Sequence, residues 1–548
     1  MKKRILSAAL ALVLLCTALP GAAFAAASSE TQDMLPAQET PADTEPLPPD
    51  AAEVPSGPAL SEASDPAPAP VPQGEEETDP PSVPTTEPTA QPVQAILKED
   101  HVRYLHGYPD RSLRPQGTLT RAQIAQMVFR LLENPNSGTG TCSYTDIPAG
   151  VWYEEPVRAL CALGLFMDAK TFRPQDPVTR AELVTILTRL KPEAAGTSSF
   201  PDVPQKHWAS AQIGAAVSLG WISGYPDGTF RPDRPVNRGE ACTILNRVCG
   251  RTGDPVWTGR LLAFGLFPDV SQNYWAGTAL MEAAVEHTPR SSAPMEQWEP
   301  LDLTQYQFTP GFHAFEGQNF YVNARGKLVM GQTLGAFRAD ADGALTQTKQ
   351  AYRMPRVPYY SQIDNINAWV GCEAVSTLMG LHAKGYAKDV PLRYFLDHLP
   401  RSASDPEKGF VGSPYQPDPT KKTRTTIYPA KLAEYSNQFC YGLPACADFR
   451  GASVQQLRQE LLAGNCVVGY MTLWWKAPHK RPYNIEGTVK QLVSNNHAVL
   501  VCGYDPAKGY FISDPYNYYN RGEVYQYWKD AATFDSIWNA RKMGMVIR

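Results

Sequence analysis

A unit of about 50 residues recurs along the first half of the chain, and no other feature limits its fold so strongly. The stretch GYPDRSLRPQGTLTRAQIAQMVFRLL at 107–132 returns as KTFRPQDPVTRAELVTILTRL at 170–190 and as GYPDGTFRPDRPVNRGEACTILNRV at 224–248. A second unit alternates with it. YTDIPAGVWYEEPVRALCALGLF at 144–166 recurs as FPDVPQKHWASAQIGAAVSLGWI at 200–222 and as FPDVSQNYWAGTALMEAAVEH at 267–287. Each copy of the second unit has an aromatic residue, an Asp two positions on, a short loop, a Trp and a helical pattern. Each copy of the first has a turn, Arg-Pro, another turn and an amphipathic helix. The helix starts Thr120-Arg-Ala-Gln123, Thr179-Arg-Ala-Glu182 and Asn237-Arg-Gly-Glu240 are capping boxes, in which the first side chain and the Gln or Glu three residues later each satisfy a backbone amide of the other. Repeat one lacks its front half, and 267–287 is a front half with no partner. The orphan is expected to complete the first lobe.

These linked Asp–Trp, Phe-Arg-Pro and Thr-Arg-Ala-Glu elements resemble the S-layer homology domain family over residues 96–287, with repeats at about 96–135, 143–190 and 198–250 and a partial one at 267–287. The resemblance implies an all-α, three-lobed module that binds a secondary cell-wall polysaccharide of Gram-positive envelopes. Carried onto matching positions, it implies wall-polymer contacts at Arg121, Arg180 and Arg238 and at Trp152, Trp208 and Trp275. An arginine at a helix start suits an anionic sugar on physical grounds as well. The Asn-Arg-Gly-Glu variant implies weaker or absent binding in the third lobe.

The other features of the first half give the chain an address. Met1-Lys2-Lys3-Arg4, the apolar run Leu6–Leu19 and Ala23-Phe24-Ala25 read as a signal peptide cut after Ala25. The apolar run is too short and wrongly flanked to span a bilayer, so the mature protein is expected outside the cytoplasmic membrane, without a membrane anchor. Residues 26–95 are rich in Pro, Glu, Thr, Ala and Asp and cannot bury enough apolar surface to fold. They are expected to form a disordered tail. A net charge of −5 gives no reason to expect nucleic acid. One of the ten cysteines lies in the signal, which leaves an odd number; Cys440 and Cys446 are a possible pair. Residues 288–350 form a connector whose Asn-Ala-Arg-Gly and Asp-Ala-Asp-Gly turns predict a β-hairpin or meander.

From about residue 351 the chain becomes aromatic, and 351–548 suffices for one well-packed domain. In VGCEAVSTLMG (370–380) a thiol stands where an apolar helical pattern begins, near the positive end of the helix dipole, a position that favours the nucleophilic thiolate. Glu373 beside it reads as a helix-start carboxylate. SNNHAVLVCGYD (494–505) puts His497 at the start of a strand, and YFISDPYN (510–517) is a second strand ending at Asp514. A hairpin through the turn at 505–509 would set Asp514 beside His497, where a carboxylate fixes the tautomer and stabilises imidazolium. Gln362, shortly before the thiol, could join the Cys372 N–H in receiving an oxyanion. His382 and His398 have no convergent partners in the sequence and read as surface residues, whereas His479 sits in the polar loop KAPHKRPYNIEG, which could border a substrate groove.

The order Gln, Cys, His, Asp is that of papain-like cysteine peptidases. The strings VPYYSQ, GCEAVS, GFVGSP, IYPAKLAEY, LRQELLAGNCVVGY, NNHAVLVCGYD and FISDPYN resemble the bacterial family of bacteriocin-processing, double-glycine-type peptidases. That resemblance implies an α+β papain-like domain with Cys372 as nucleophile, His497 as general base, Asp514 as orienting residue and Gln362 as oxyanion donor. The substrate would be a peptide or protein. The aromatic stretch DPYNYYNRGEVYQYW (514–528) reads first as core and surface packing, with lining of the groove as the alternative. The residues show neither metal-ligand spacing nor a phosphate loop, so neither metal nor cofactor is expected. The whole reads as a multidomain, secreted, wall-attached cysteine peptidase. Hydrolysis of peptidoglycan stem peptides and an inactive S-layer-associated peptide binder are the alternatives.

Overall fold

Seven helices occupy the repeat region: α1 (Arg121–Leu131), α2 (Glu154–Ala162), α3 (Arg180–Thr188), α4 (Ser210–Ser218), α5 (Arg238–Val248), α6 (Pro255–Ala263) and α7 (Gly277–Ala284). They belong to a computed structural model that describes residues 94–548, apart from 292–294, 419, 421–423 and 517–524. The expected signal peptide and nearly all of the expected tail lie outside the described residues. The helices α1, α3 and α5 begin with the three capping boxes, both reciprocal bonds being present in each. Helix α6, capped by Asp254 with Pro255 at its first position, is an addition that the repeats did not announce.

Each capped helix uses its first amides to hold the next repeat. Arg121 and Ala122 donate to the carbonyls of Asp176 and Pro174, Arg180 and Ala181 to those of Arg234 and Pro232, and Arg238 and Gly239 to those of Gly117 and Pro115. These are amides that a helix cannot satisfy internally, and here they close a ring in which the third repeat returns to the first. The Arg of each Arg-Pro dipeptide has left-handed backbone, with φ of 48° at Arg114, 59° at Arg173 and 58° at Arg231. Such a conformation costs roughly 1–3 kcal/mol unless its surroundings fix it. An aspartate does so each time, by accepting that N–H and the one before it. Asp146 holds Phe172 and Arg173 (2.7 and 2.7 Å), Asp202 holds Phe230 and Arg231 (2.9 and 2.7 Å), and Asp269 holds Leu113 and Arg114 (2.9 and 2.6 Å). Asp269 belongs to the orphan unit, so that unit supplies the missing front half of repeat one from 155 residues away. At the variant third start, Gly239 leaves room for its neighbours, since a Cβ there would stand tightly against the Tyr274 hydroxyl at 3.1 Å and the Ala276 methyl at 3.2 Å.

The connector contains a hairpin, Gly311–Phe315 with Gln318–Val322, and a three-stranded sheet of Thr333–Leu334, Phe337–Ala339 and Leu345–Gln347. Alternation along the second hairpin strand splits its side chains between two cores. Phe320 and Val322 pack with the helices, whereas Tyr321 packs with the C-terminal sheet and accepts a hydrogen bond from Asn465 Nδ2 at 2.7 Å.

The C-terminal sheet has seven strands: β1 (Tyr352–Arg353), β2 (Cys446–Asp448), β3 (Cys466–Thr472), β4 (Asn496–Asp505), β5 (Gly509–Ser513), β6 (Gln526–Lys529) and β7 (Gly544–Ile547). Their order is β2-β7-β3-β4-β5-β6, with β1 on β4, and every pairing is antiparallel. Helix α8 (Cys372–Ala383) covers one face. Helices α9 (Val454–Leu462) and α10 (Ala531–Arg541) cover the other. Strand β4 is therefore buried on both sides. Ala498, Leu500 and Cys502 enter the core under α8, and Val499 and Val501 pack with Leu457, Leu461, Phe534 and Trp538. Cys502 is the buried packing residue expected. At roughly 1.5–3 kcal/mol for each large apolar side chain removed from water, this double core fixes β4 and hence the two residues at its start.

Candidate active site

Cys372 is the first residue of α8, following Gly371. The chain reaches it through a tight turn in which Ala368 N donates to Gln362 O (2.7 Å) and Gly371 N to Ala368 O (2.9 Å). A Cβ on Gly371 would lie 3.1 Å from both Ala368 Cβ and Leu396 Cδ2, so glycine lets the turn close. Helix α8 crosses β4 with Ser376 Oγ donating to Ala498 O at 3.2 Å, and Ala498 N donates to Cys372 Sγ at 3.3 Å. His497 precedes Ala498 on β4, opposite Met471 of β3.

The β4–β5 hairpin, which pairs Leu500 with Ser513, carries Asp514 back to that point. His497 Nε2 meets Asp514 Oδ1 at 2.7 Å, as the sequence predicts. This contact leaves Nδ1 as the imidazole nitrogen open to other chemistry. Asp514 is itself fixed: Tyr516 N donates to Oδ1 (3.0 Å), Tyr527 Oη donates to Oδ2 (3.0 Å), and Trp475 Nε1 donates to Tyr527 Oη (3.1 Å). Burial pushes the Asp514 carboxyl up, but the facing His497 and the donors outweigh it and hold the group below its ordinary range. The Tyr516 ring stands edge-on to His497 at 5.9 Å. Residues 517–524 of the aromatic stretch lie outside the described residues.

The state of the thiol departs from expectation. Burial, and then the Glu373 carboxylate, push Cys372 well above the usual thiol range; the Ala498 N–H offsets only part of this. Its Sγ donates to Glu373 Oε2 at 3.3 Å, and among the described residues His497 is not a hydrogen-bond partner of Sγ. Glu373 is more than a carboxylate at a helix start. It is 1% exposed and accepts from Thr426 Oγ1 and, at 3.1 Å, from Asn496 Nδ2. The helix dipole is thus outweighed in the resting site by burial and an adjacent negative charge.

Gln362 is also placed differently from the role inferred for it. It is 1% exposed, and its Nε2 donates to the carbonyls of Ala368 (3.3 Å) and Trp369 (3.1 Å), which ties down the turn before Cys372. Its N–H donates to Pro515 O at 2.9 Å and so links that turn to the Asp514 segment. His382 has two partners, Tyr360 Oη (2.6 Å) and Ala387 O (2.7 Å), and is part of the packing rather than a surface residue. His398 and His479 are exposed. A cleft of about 550 Å³ beside the turn is lined by Trp369, Arg393 and Tyr415 among others. Cys440 and Cys446, the suggested pair, are both free buried thiols.

In the helical region, Arg121 and Trp208 line one cleft of about 280 Å³, together with Arg173 and Arg189. Each signature arginine also ties repeats together. Arg121 Nε donates to Phe172 O (2.7 Å), Arg180 Nε to Phe230 O (2.9 Å), and Arg238 Nε to Leu113 O (2.6 Å). Arg180 and Arg238 are 6% exposed, and their guanidinium groups stack on Tyr225 and Tyr108. Trp152, Trp208 and Trp275 stand out from the surface, 57%, 59% and 62% exposed. No helix among the described residues is long and apolar enough to cross a membrane.

Residues 354–545 match the Peptidase_C39 like family, and residues 104–125, 143–184 and 199–242 match the S-layer homology domain. Among curated proteins, Cell surface glycoprotein 1 of Acetivibrio thermocellus is 35% identical over 221 residues, 37% of this chain and 9% of that protein. The Cellulosome-anchoring protein of the same organism is 30% identical over 215 residues, 36% of this chain and 47% of that protein. S-layer protein EA1 of Bacillus anthracis is 42% identical over 59 residues, 11% of this chain and 7% of that protein. The matches thus span less than half the length of these relatives. A solved chain from Bacillus anthracis described as a C39-like peptidase aligns at 19% identity with a TM-score of 0.31, covering 36% of this chain and 98% of that one. The S-layer homology repeats make this a protein of the cell surface, held in the S-layer or wall.

Proposed function

We propose that this chain, which carries S-layer homology domains ahead of a Peptidase_C39 like domain, is a wall-held cysteine peptidase acting through Cys372, His497 and Asp514. One observation carries the reading. The residue that donates to Cys372 Sγ at 3.3 Å adjoins His497, and His497 Nε2 is held by Asp514 at 2.7 Å, which leaves Nδ1 for the thiol proton. In the reaction the Cys372 proton passes to His497 Nδ1 and Sγ attacks the peptide carbonyl carbon. The tetrahedral oxyanion is received by the Cys372 N–H at the head of α8. The C–N bond breaks as His497 protonates the departing amine, and water then hydrolyses the thioester to a carboxylic acid and the free thiol. Gln362 serves this site by positioning the turn before Cys372.

The substrate class is peptide, with stem peptides of the wall as the nearest source of it. The cleft that joins Arg121 to Trp208 supports polysaccharide binding by the helical region, read as a three-lobed module. The Cys372–Glu373 contact favours a second reading, a peptide-capturing domain without turnover. The test incubates the chain from residue 26 onward, and its Cys372→Ala variant, with casein, synthetic peptides and purified peptidoglycan. New amino termini made by wild type and not by the variant support the peptidase. Binding of the same peptides by both proteins, with no cleavage by either, supports the capture module.

A further inference from the structure

Four side chains from three separated segments converge in the helical region: His101 ahead of α1, Glu282 in α7, His287 just after it, and Glu296 in the connector. His101 Nδ1 lies 2.9 Å from His287 Nε2 and 3.0 Å from both Glu282 Oε1 and Glu296 Oε1. His287 Nε2 lies 3.1 Å from Glu282 Oε2 and 3.3 Å from Glu296 Oε1. Their side chains are 11% (His101), 0% (Glu282), 0% (His287) and 2% (Glu296) exposed. From this convergence we propose that His101, Glu282, His287 and Glu296 bind one Zn²⁺ ion, which staples the start of the helical module and the connector to the end of α7.

The spacing fits a metal better than an ion-pair cluster. Zinc bonds of roughly 2.0–2.2 Å to imidazole nitrogen and carboxylate oxygen give a tetrahedron edges of about 3.3–3.6 Å; the separations of 2.9–3.3 Å from the imidazole nitrogens approach that length, and one ligand atom from each residue lies within 4.8 Å of the others. Two imidazolium rings would instead point N–H groups at each other across 2.9 Å. Apart from the two imidazoles of the cluster, neither oxygen of the fully buried Glu282 has a hydrogen-bond partner among the described residues. Arg251, whose Nη1 lies 3.9 Å from Glu282, donates to the carbonyls of Asp100 and Val102. Buried carboxylates without donors are rare unless they coordinate a cation.

The surroundings also orient the four groups as metal ligands. His287 Nδ1 is 2.8 Å from Val285 O, which fixes the proton there and leaves an Nε2 lone pair facing the cluster. Trp298 stacks on the His287 ring at 3.8 Å, and its Nε1 donates to Glu296 Oε1 at 2.7 Å. Glu296 Oε2 accepts from Thr252 N (2.9 Å) and Gly253 N (3.1 Å). Two imidazoles with two carboxylates suit zinc and disfavour calcium and magnesium, which prefer oxygen alone. The sequence hid this site because its ligands are far apart, so the expectation of no metal is revised here.

The test uses the chain from residue 26 onward, expressed with added zinc and purified without a metal column. Elemental analysis should find about one zinc per chain. Chelator treatment should lower the melting temperature, and Zn²⁺ should restore it. His287→Ala and His101→Gln should lose the zinc and the response; if the first fails to fold, the more exposed His101 decides. Cys142→Ser, which removes the nearest alternative ligand cluster, Cys142, Cys161 and Asp168, should keep both. Co²⁺ in place of zinc should give ligand-field bands of a four-coordinate site without thiolate charge transfer. Absence of retained metal and of any thermal response to Zn²⁺, metal binding unchanged in His101→Gln, or loss of the metal in Cys142→Ser would each overturn the proposal.

Discussion

Replacing Glu373 by Gln should waken the thiol. The Glu373 carboxylate lies 3.3 Å from Cys372 Sγ and opposes formation of a second negative charge. Coulomb's law at an effective dielectric of 20 puts that opposition at about 5 kcal/mol. This is an upper bound, which local rearrangement and water reduce, and its removal should bring the thiol down towards its ordinary range. The burial contribution persists in the variant. Because a less basic thiolate is a poorer nucleophile, with a Brønsted slope near 0.4–0.5, each tenfold gain in thiolate fraction raises the alkylation rate at neutral pH only about 3–4-fold. The assay follows Cys372 labelling by limiting iodoacetamide between pH 5 and 10, mapped by mass spectrometry, in wild type and Glu373→Gln. A profile displaced to lower pH by at least one unit supports the reasoning. If the profile stays put or moves upward while the melting temperature holds, the carboxylate does not govern the thiol, and its role is confined to the Thr426 and Asn496 contacts.

Three further variants have outcomes that follow from the geometry. Asp514→Asn should lower kcat/KM by roughly 10²–10⁴ with little change in KM, measured by steady-state peptide hydrolysis, because the carboxylate orients His497 rather than touching substrate. The same residue has a folded-state pKa below its unfolded value, so its stabilisation is present above about pH 4 and is lost as pH falls through the folded pKa. Denaturant titrations between pH 2 and 5 should therefore show a shallower acid loss in Asp514→Asn. Asp269→Ala removes the acceptor of both Leu113 N and Arg114 N and should cost about 1–3 kcal/mol by the same method, whereas a free orphan unit would lose nothing. Thr179→Ala, which removes one side of a capping box, should cost about 0.5–2 kcal/mol.

Much of the molecule is legible in the chain because its signals are local. The capping boxes at Thr120, Thr179 and Asn237 need only residues three apart, and the repeat itself announces the partner of the orphan unit. The His497–Asp514 contact follows from two strands and one short turn. Other features depend on burial, which one sequence does not display. Glu373 reads as an ordinary helix-start acid until Thr426 and Asn496 close over it, and then it adds to burial in holding the Cys372 thiol above its usual range. Gln362 stands at the right distance along the chain for an oxyanion donor, yet the turn at Ala368 and Trp369 takes its amide hydrogens. The signature arginines reach back to carbonyls of neighbouring repeats, a structural use that a surface motif does not suggest. The four-ligand cluster joins residues 101 and 296, and only Glu282 and His287 are near enough in sequence to hint at it.

The central claim is that Cys372, His497 and Asp514 form one nucleophilic unit, and covalent capture tests it most directly. The chain from residue 26 onward is treated with a limiting peptidyl vinyl sulfone at neutral pH, and the adduct is located by mass spectrometry in wild type and in His497→Ala. A single adduct should form on Cys372 at a rate that falls at least a hundredfold in His497→Ala, while the eight other described cysteines stay unlabelled. Equal labelling of Cys372 in both proteins, or labelling no faster than that of the other thiols, would contradict it.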